Sequence, residues 1–419
     1  MISIGSKAVA GKFLGVLAVS LLTGLPAEAG TRIVSANPHA PGLPSGSTPP
    51  MSGIASLSGI HVNAYHVSNQ DEVGYVLGYN AYGKPKILSD DAGNVSVASA
   101  KSWITQACNA GEHYEHYDAA LSTKARSGTA ILSKDDFPAA STQVLKHIKN
   151  NSCVSDLAAN GTLTVSGRDF YWNGQKVNLV GHSWMGALAG LNFNINGYLS
   201  ALEFYRVNLT RVWVVEQWTG LAIDGPNAPD LSNVVLPFPG IINFNGSNDT
   251  LNLNVVNPAF ITRLKQFVQT AAQKGIVVQL TLFDRHGLRN FSDYGRWGGS
   301  PYNINNNQNS FFTPGASGKA PPAFLDECYF TYIQGPDGPR LEPSQNTSNV
   351  QLCPEHAEAN YNLINTLAVQ LGNYHNVIYE IMNEPLTTPT ESWSLNDLTG
   401  WHGWVAGLLN PSIPNPPPL

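Results

Sequence analysis

NPAFITRLKQFVQTAAQKGIVVQLTLFDRH, Asn257 to His286, contains a complete helix–strand unit. Asn257 is an N-cap residue and Pro258 suits the first helical position. Phe260, Leu264, Phe267, Val268 and Ala271 recur at helical spacing and form one apolar face. Gly275 tolerates the left-handed backbone that ends such a helix, and IVVQLTLF then runs as a buried strand.

The same punctuation recurs on either side. Downstream, Pro354 opens a helix with Leu363, Ile364, Leu367 and Leu371 on one face; Gly372 closes it and VIYEIM follows. Upstream, GYLSALEFYRVNLTRVWVV gives a helix feeding a β-branched strand. Before it, LTVSGRDFYWNGQKVNLVG holds two β-prone stretches around Asn173-Gly174, a strong hairpin turn. Strands are expected near Val177–Val180, Val207–Val215, Ile276–Phe283 and Val377–Met382, alternating with helices. Near-continuous apolar strands separated by amphipathic helices imply an α/β fold with a covered parallel sheet. A doubly wound sheet and a (β/α) barrel both fit, although no Gly-rich phosphate loop follows the first strand.

Residues 1–29 read as a signal peptide: Lys7 and Lys12, the apolar stretch FLGVLAVSLLTGL, and Ala27-Glu28-Ala29 as a cleavage site. That predicts a secreted or periplasmic protein with no membrane association after cleavage. Residues 30–53 contain SANPHAPGLPSGSTPPMSG and read as a linker. Residues 54–154 form an N-terminal region of unassigned role, with strand-like stretches in VGYVLGYNAYGKPKIL and a short helix at TQVLKHIK. The barrel domain spans 155–419. Four cysteines suit an oxidising compartment. Local pairing predicts Cys108–Cys153 and Cys328–Cys353, one of three connectivities. The net charge of −6 and the 12% charged content show no basic stripe for nucleic acid. No cysteine or histidine spacing suggests structural zinc.

Functional side chains of such folds sit past the C-terminal ends of the strands. There stand Gly181-His182-Ser183-Trp184, Arg211 and Trp213, Asp284-Arg285-His286 and Asn383-Glu384. This assembly resembles clan A glycoside hydrolases, most closely glycoside hydrolase family 5. FYWNGQKVNLVG is similar to the family's opening hairpin and first strand, and FYRVNLTRVWV to its second-strand arginine motif. GIVVQLTLFDRH is similar to the third strand, and VIYEIMNEP to the fourth-strand acid/base motif.

The resemblance implies a TIM (β/α)8 barrel and hydrolysis of β-linked polysaccharide or oligosaccharide with retention, without metal or organic cofactor. Glu384 is then the acid/base, and Asn383 binds the sugar 2-hydroxyl. Arg211 supports the nucleophile, although Glu380, on the strand face of Glu384, is an alternative partner for it. His286, His182, Trp213 and Trp297 are expected to bind the carbohydrate substrate.

The family's nucleophile comes from the end of the seventh strand. Past Pro385 there is one helix, expected at Asn396–Leu409, and then NPSIPNPPPL, so no such strand follows. The expectation is therefore the first half of a barrel with open edges, inactive alone and of unread oligomeric state. Two alternatives are a non-catalytic carbohydrate-binding remnant and a serine esterase. The second would use Ser183 in LVGHSWMG, where Met185 stands in place of the second glycine of the nucleophile elbow.

Overall fold

The computed structural model describes residues 32–36, 64–68, 83–90, 95–126, 129–184, 186–191, 193–215, 234–240, 251–284, 301, 308–309, 331–335, 338–342, 354–383 and 405–410. In chain order they begin with β1 (Ile33–Ala36), β2 (Ala64–Ser68), β3 (Lys86–Ser89), α1 (Val97–Ala110), β4 (His113–Tyr117), α2 (Ala119–Arg126) and α3 (Ala139–Lys149). A small three-stranded sheet follows, β5 (Leu163–Ser166), β6 (Asp169–Trp172) and β7 (Gln175–Val177). Next come β8 (Val180–Ser183), α4 (Ile195–Phe204), β9 (Leu209–Trp213), α5 (Pro258–Gln273) and β10 (Val277–Asp284). A hairpin of β11 (Thr331–Gly335) and β12 (Gly338–Glu342), then α6 (Pro354–Gln370) and β13 (Val377–Asn383), complete the named elements.

The local predictions rest on visible chemistry. Asn257 caps α5 by accepting a hydrogen bond from the Ala259 amide, and Pro258 is the first helical residue. Phe260, Leu264, Phe267, Val268 and Ala271 are all buried. Gly275 has φ +64, and a Cβ there would lie 2.0 Å from the Leu157 carbonyl oxygen, so both conformation and space demand glycine. In the β6–β7 hairpin Asn173 and Gly174 have φ of 52 and 78, the pair of positive values a two-residue turn requires.

Eight parallel strands close into a barrel in the order β1-β2-β3-β4-β8-β9-β10-β13, and β13 returns to β1. This corrects the half-barrel expectation. The edge of β13 is paired with β1 at Ile33↔Ile378, Val34↔Tyr379 and Ser35↔Glu380. The edge of β8 is paired with β4 from Tyr114↔Val180 to Tyr117↔Ser183. Strands β1 to β4 thus come from residues expected to be linker or unassigned extension, and the sheet shows no break at residue 154. Strand β3 begins in the strand-like stretch VGYVLGYNAYGKPKIL, whereas β1 has 4 residues and β2 and β4 have 5, too few for a period-two signal to rise above Pro, Gly and Ser. The first barrel strand of the resemblance falls at Val180–Ser183; Val177 ends the hairpin strand before it.

Two apolar layers hold the ring. Outside, Leu88, Tyr114, Val180, Val212, Leu280 and Ile381 pack with helix residues such as Leu199, Leu264 and Leu367. At the N-terminal end of the interior, Ile33, Ala64, Ile87, Leu209, Val277 and Ile378 meet Leu163, Phe170, Trp172 and Val177 of the small sheet, which plugs that end. The Cys108–Cys153 disulfide forms as expected and ties the end of α1 to the turn after α3. Cys328 and Cys353 lie outside the described residues, and the helix expected at Asn396–Leu409 is described only at 405–409. Arg32 reaches across to the last described segments, donating to the carbonyls of Leu409 (2.6 Å) and Ala368 (2.9 Å).

A chain restricted to residues 155–419 would expose the backbone edges of β8 and β13 and lose half of the barrel wall. It is expected to lose cooperative thermal unfolding and to aggregate, whereas the full chain unfolds in a single transition. Circular dichroism melts with size-exclusion chromatography check this, and a monomeric, cooperatively melting fragment would contradict the closed ring.

Candidate active site

Inside the barrel, above the apolar plug, lies a polar layer centred on Arg211. Its side chain and that of Glu380 are both 0% exposed. Arg211 Nε and Nη2 each donate to Glu380 at 2.7 Å, a two-pronged contact, and Nη2 also donates to Asn383 Oδ1 at 2.7 Å. Glu380 accepts further from Gln279 Nε2 at 2.9 Å and from Thr281 Oγ1 at 2.5 Å. Both donors stand on β10, and the register places Arg211 beside Gln279 and Thr281 beside Glu380. Two buried charges are tolerated only with such extensive hydrogen bonding. Because Arg211 can only donate, the Asn383 atom facing it is the carbonyl oxygen, which turns the amide's donor side elsewhere. Trp213 lies over the guanidinium, with Cζ 4.6 Å from the ring centroid, and meets Tyr117 edge-on at 6.2 Å.

A second carboxylate, Glu115 on β4, occupies the same interior. It is 0% exposed and accepts hydrogen bonds from the hydroxyls of Ser89 and Ser183, the last residues of β3 and β8. Burial pushes its carboxyl up to about 7. The Arg211 charge, the Ser89 hydroxyl and His116 pull the other way, and Asp90 adds to the rise.

Behind β4 and β8 lies a separate buried network. Asp90, directly after β3, accepts from Tyr114 Oη (2.8 Å), His116 Nδ1 (2.8 Å) and the Tyr117 amide (2.7 Å). Asp118 accepts from His182 Nε2 at 2.9 Å, and His182 Nδ1 meets the Tyr198 hydroxyl of α4 at 3.1 Å. Burial alone would lower His116, but the charge and hydrogen bond of Asp90, then Asp118 and Glu115, raise it to about 9. Burial would raise Asp118, yet His182, His116 and Ser141 bring it down to about 2. Burial keeps His182 below the usual imidazole range.

Among the residues expected at the rim, Arg211 and Asn383 are brought together. Arg211 takes Glu380 as its carboxylate, the alternative the strand spacing had left open. Trp213, 1% exposed, stacks on Arg211 instead of facing solvent. His182 is also corrected: it is 0% exposed and turned toward α4, so it stiffens the wall and does not line a groove. Glu384, His286 and Trp297 lie outside the described residues. Ser183 donates to Glu115, and both ring nitrogens of the adjacent His182 are engaged by Asp118 and Tyr198, so no serine–histidine pair forms. Sequence reasoning missed Ser89, Asp90, Glu115, His116 and Asp118. The density of titratable groups in HYEHYD and the acidic pair ending KILSDD were the available signals.

Residues 239–406 match the family model described as cellulase (glycosyl hydrolase family 5). This supports the resemblance over the segment that carries β10 and β13. No curated protein matches the chain. A solved β-mannanase from the blue mussel Mytilus edulis is 14% identical with a TM-score of 0.28, covering 61% of this chain and 62% of its own. The chain therefore spans about three fifths of that enzyme's length. A sucrose 6F-phosphate phosphorylase from Thermoanaerobacter thermosaccharolyticum is 8% identical with a TM-score of 0.25, covering 86% of this chain and 77% of its own. At these scores both likenesses are loose.

Two stability measurements follow from the geometry. Glu380→Leu removes the carboxylate from a buried guanidinium and is expected to cost about 3–5 kcal/mol in urea unfolding. His116 has a folded value of about 9 against 6.5 in the unfolded chain, so its contribution is complete below about pH 6.5 and disappears as pH rises through 9. Between about pH 6 and pH 9.5 the native protein should lose on the order of 3 kcal/mol more stability than His116→Gln, measured by urea unfolding at both pH values.

Proposed function

We propose that the protein is a secreted glycoside hydrolase that cleaves β-linked polysaccharide or oligosaccharide with retention, and that its own N-terminal strands supply the second carboxylate. One contact supports this above all: the arginine of the second-strand motif holds the amide of Asn-Glu-Pro, Arg211 Nη2 to Asn383 Oδ1 at 2.7 Å, inside a closed barrel. That contact fixes the residue immediately before Glu384 and directs its amide donors away from the guanidinium, as binding of a sugar 2-hydroxyl requires.

The expectation of a missing nucleophile depended on a half-barrel. Counted round the ring from β8 as the resemblance's first strand, β9, β10 and β13 are second to fourth, and β1 to β4 become fifth to eighth. The seventh is β3, which runs into Asp90-Asp91. Ile87 belongs to the interior apolar layer, and Ser89 binds Glu115 within the barrel. Two residues past Ser89 in the sequence stands Asp91, which lies outside the described residues. Asp90 belongs to the alternate series and is committed to Tyr114, His116 and Tyr117. On its place in the sequence after the seventh strand, Asp91 is the proposed nucleophile, and the resemblance makes Glu384 the acid/base. As the Asp91 carboxylate bonds to the anomeric carbon, Glu384 protonates the departing oxygen. Water, deprotonated by Glu384, then displaces Asp91 and restores both groups.

Purified full-length protein should turn over aryl β-glycosides with the product anomer retained, as read by proton NMR. Glu384→Gln and Asp91→Asn should each lower the rate by about 10²–10⁴-fold. Turnover unaffected by Glu384→Gln, or none on gluco-, manno- and xylo-configured substrates, overturns the assignment. Loss in Glu384→Gln with full activity in Asp91→Asn would move the nucleophile to another residue.

A further inference from the structure

We propose that the protein has a second ligand site, at the opposite end of the barrel from Asn383: a pocket across the β1–β13 seam that binds a small organic monocarboxylate through Arg32. The inference does not rest on the glycosidase reading above, and it uses none of the residues of that reading.

The pocket is a cavity of about 320 Å³, at the small end of the range that holds organic ligands. It opens where the two seam strands begin. Ile33 and Val377, their first residues, line it together with Leu163 of the β5–β7 plug and Leu371 just after α6. Asn383 ends β13, roughly 20 Å from Val377 at the rise of a strand. The cavity is therefore separate from the polar layer around Glu380. Among the described residues that line it, Arg32 alone carries a permanent charge.

Arg32 is half-buried and held in place by neutral acceptors. It donates to the Leu409 and Ala368 carbonyls and to the Tyr379 hydroxyl, which leaves other N–H groups of the guanidinium for a ligand. Those acceptors orient the charge without neutralising it. Among the described residues no carboxylate pairs with Arg32, whereas Arg206 and Arg211 each have one. Burial pushes the Tyr379 phenol up to about 12, so it keeps its proton at neutral pH and can donate it to a bound oxygen. A carboxylate matches a guanidinium fork, and the four apolar side chains call for an organic body behind it. A neutral ligand would leave the charge unmet, and a phosphate dianion would exceed it. Arg32 directly precedes β1, while Leu371, Val377 and Tyr379 belong to the α6–β13 side. A bound carboxylate thus adds a bridge across the seam that closes the ring, and a ligand taken only by the folded chain stabilises it.

The test is calorimetric titration of the full-length protein with benzoate. Benzamide serves as its neutral counterpart, and inorganic phosphate as an anion without an apolar body. Benzoate should bind at one site with a Kd on the order of 10⁻⁴–10⁻³ M, as expected for so small a ligand, and benzamide about tenfold more weakly or worse. Benzoate at about ten times its Kd should raise the midpoint of thermal unfolding by about 1–2 °C. Arg32→Met removes the charge and should abolish both effects. Should that variant fail to fold, Thr164→Asp carries the same test: Thr164 is exposed where it lines the pocket, and an acid there should weaken benzoate about three- to tenfold. Equal binding of benzoate and benzamide overturns the inference, as does displacement of benzoate by equimolar phosphate. Benzoate affinity unchanged in the folded variants, or no binding well above the stated range, overturns it too. All these readouts are binding or unfolding, so their failure leaves the glycosidase reading standing.

Discussion

Closure of the sheet is the constraint on which the rest depends. A parallel strand presents unpaired amides and carbonyls along each free edge, and the cost of burying them unsatisfied exceeds what a few apolar contacts return. Strands β8 and β13 would carry such edges if β8, β9, β10 and β13 stood alone. Pairing of β1 with β13 and of β4 with β8 removes both at once. Only then does an interior exist in which Arg211 and Glu380 are sealed from water.

That interior has a vertical order. Apolar side chains and the β5–β7 plug fill one end, and a charged layer lies above them. Within that layer the one guanidinium among the described interior residues is shared between Glu380 and Asn383. Ion pairs at such depth add little net stability, but the single geometry they permit is useful where an amide must be aimed. The network of Asp90, His116, Asp118 and His182 stiffens the wall from behind, on the side facing α4. The site is thus supported from two sides by groups that have no need to touch a substrate.

Much of this was legible in the chain and some was not, for reasons that can be named. Helix α5 announced itself because Asn257, Pro258 and Gly275 each perform a task few residues perform, and its apolar face spans 16 residues. The pairing of Arg211 with Glu380 was one of two alternatives, because alternation along β13 offers Glu380 as a partner without choosing it. Strand β1 was hidden because IVSA is four residues beside a Pro- and Ser-rich stretch, and its identity is conferred by β13, more than three hundred positions away. His182 misled because a strand end has two sides, and sequence alone does not say which faces the helices. Glu115 went unread because a strand as short as HYEHY, crowded with polar groups, looks like a surface loop until its neighbours are known.

The clasp of Arg32 on the Leu409 carbonyl sets the two extremities of the described chain side by side. A ring whose ends touch has no privileged starting point. The resemblance begins its count at β8 and the described strands begin at β1, yet both number the same circle of strands. Nothing in the packing of that circle depends on where the backbone is cut, so linear order is free to drift while the spatial neighbourhood of every wall residue stays as it was.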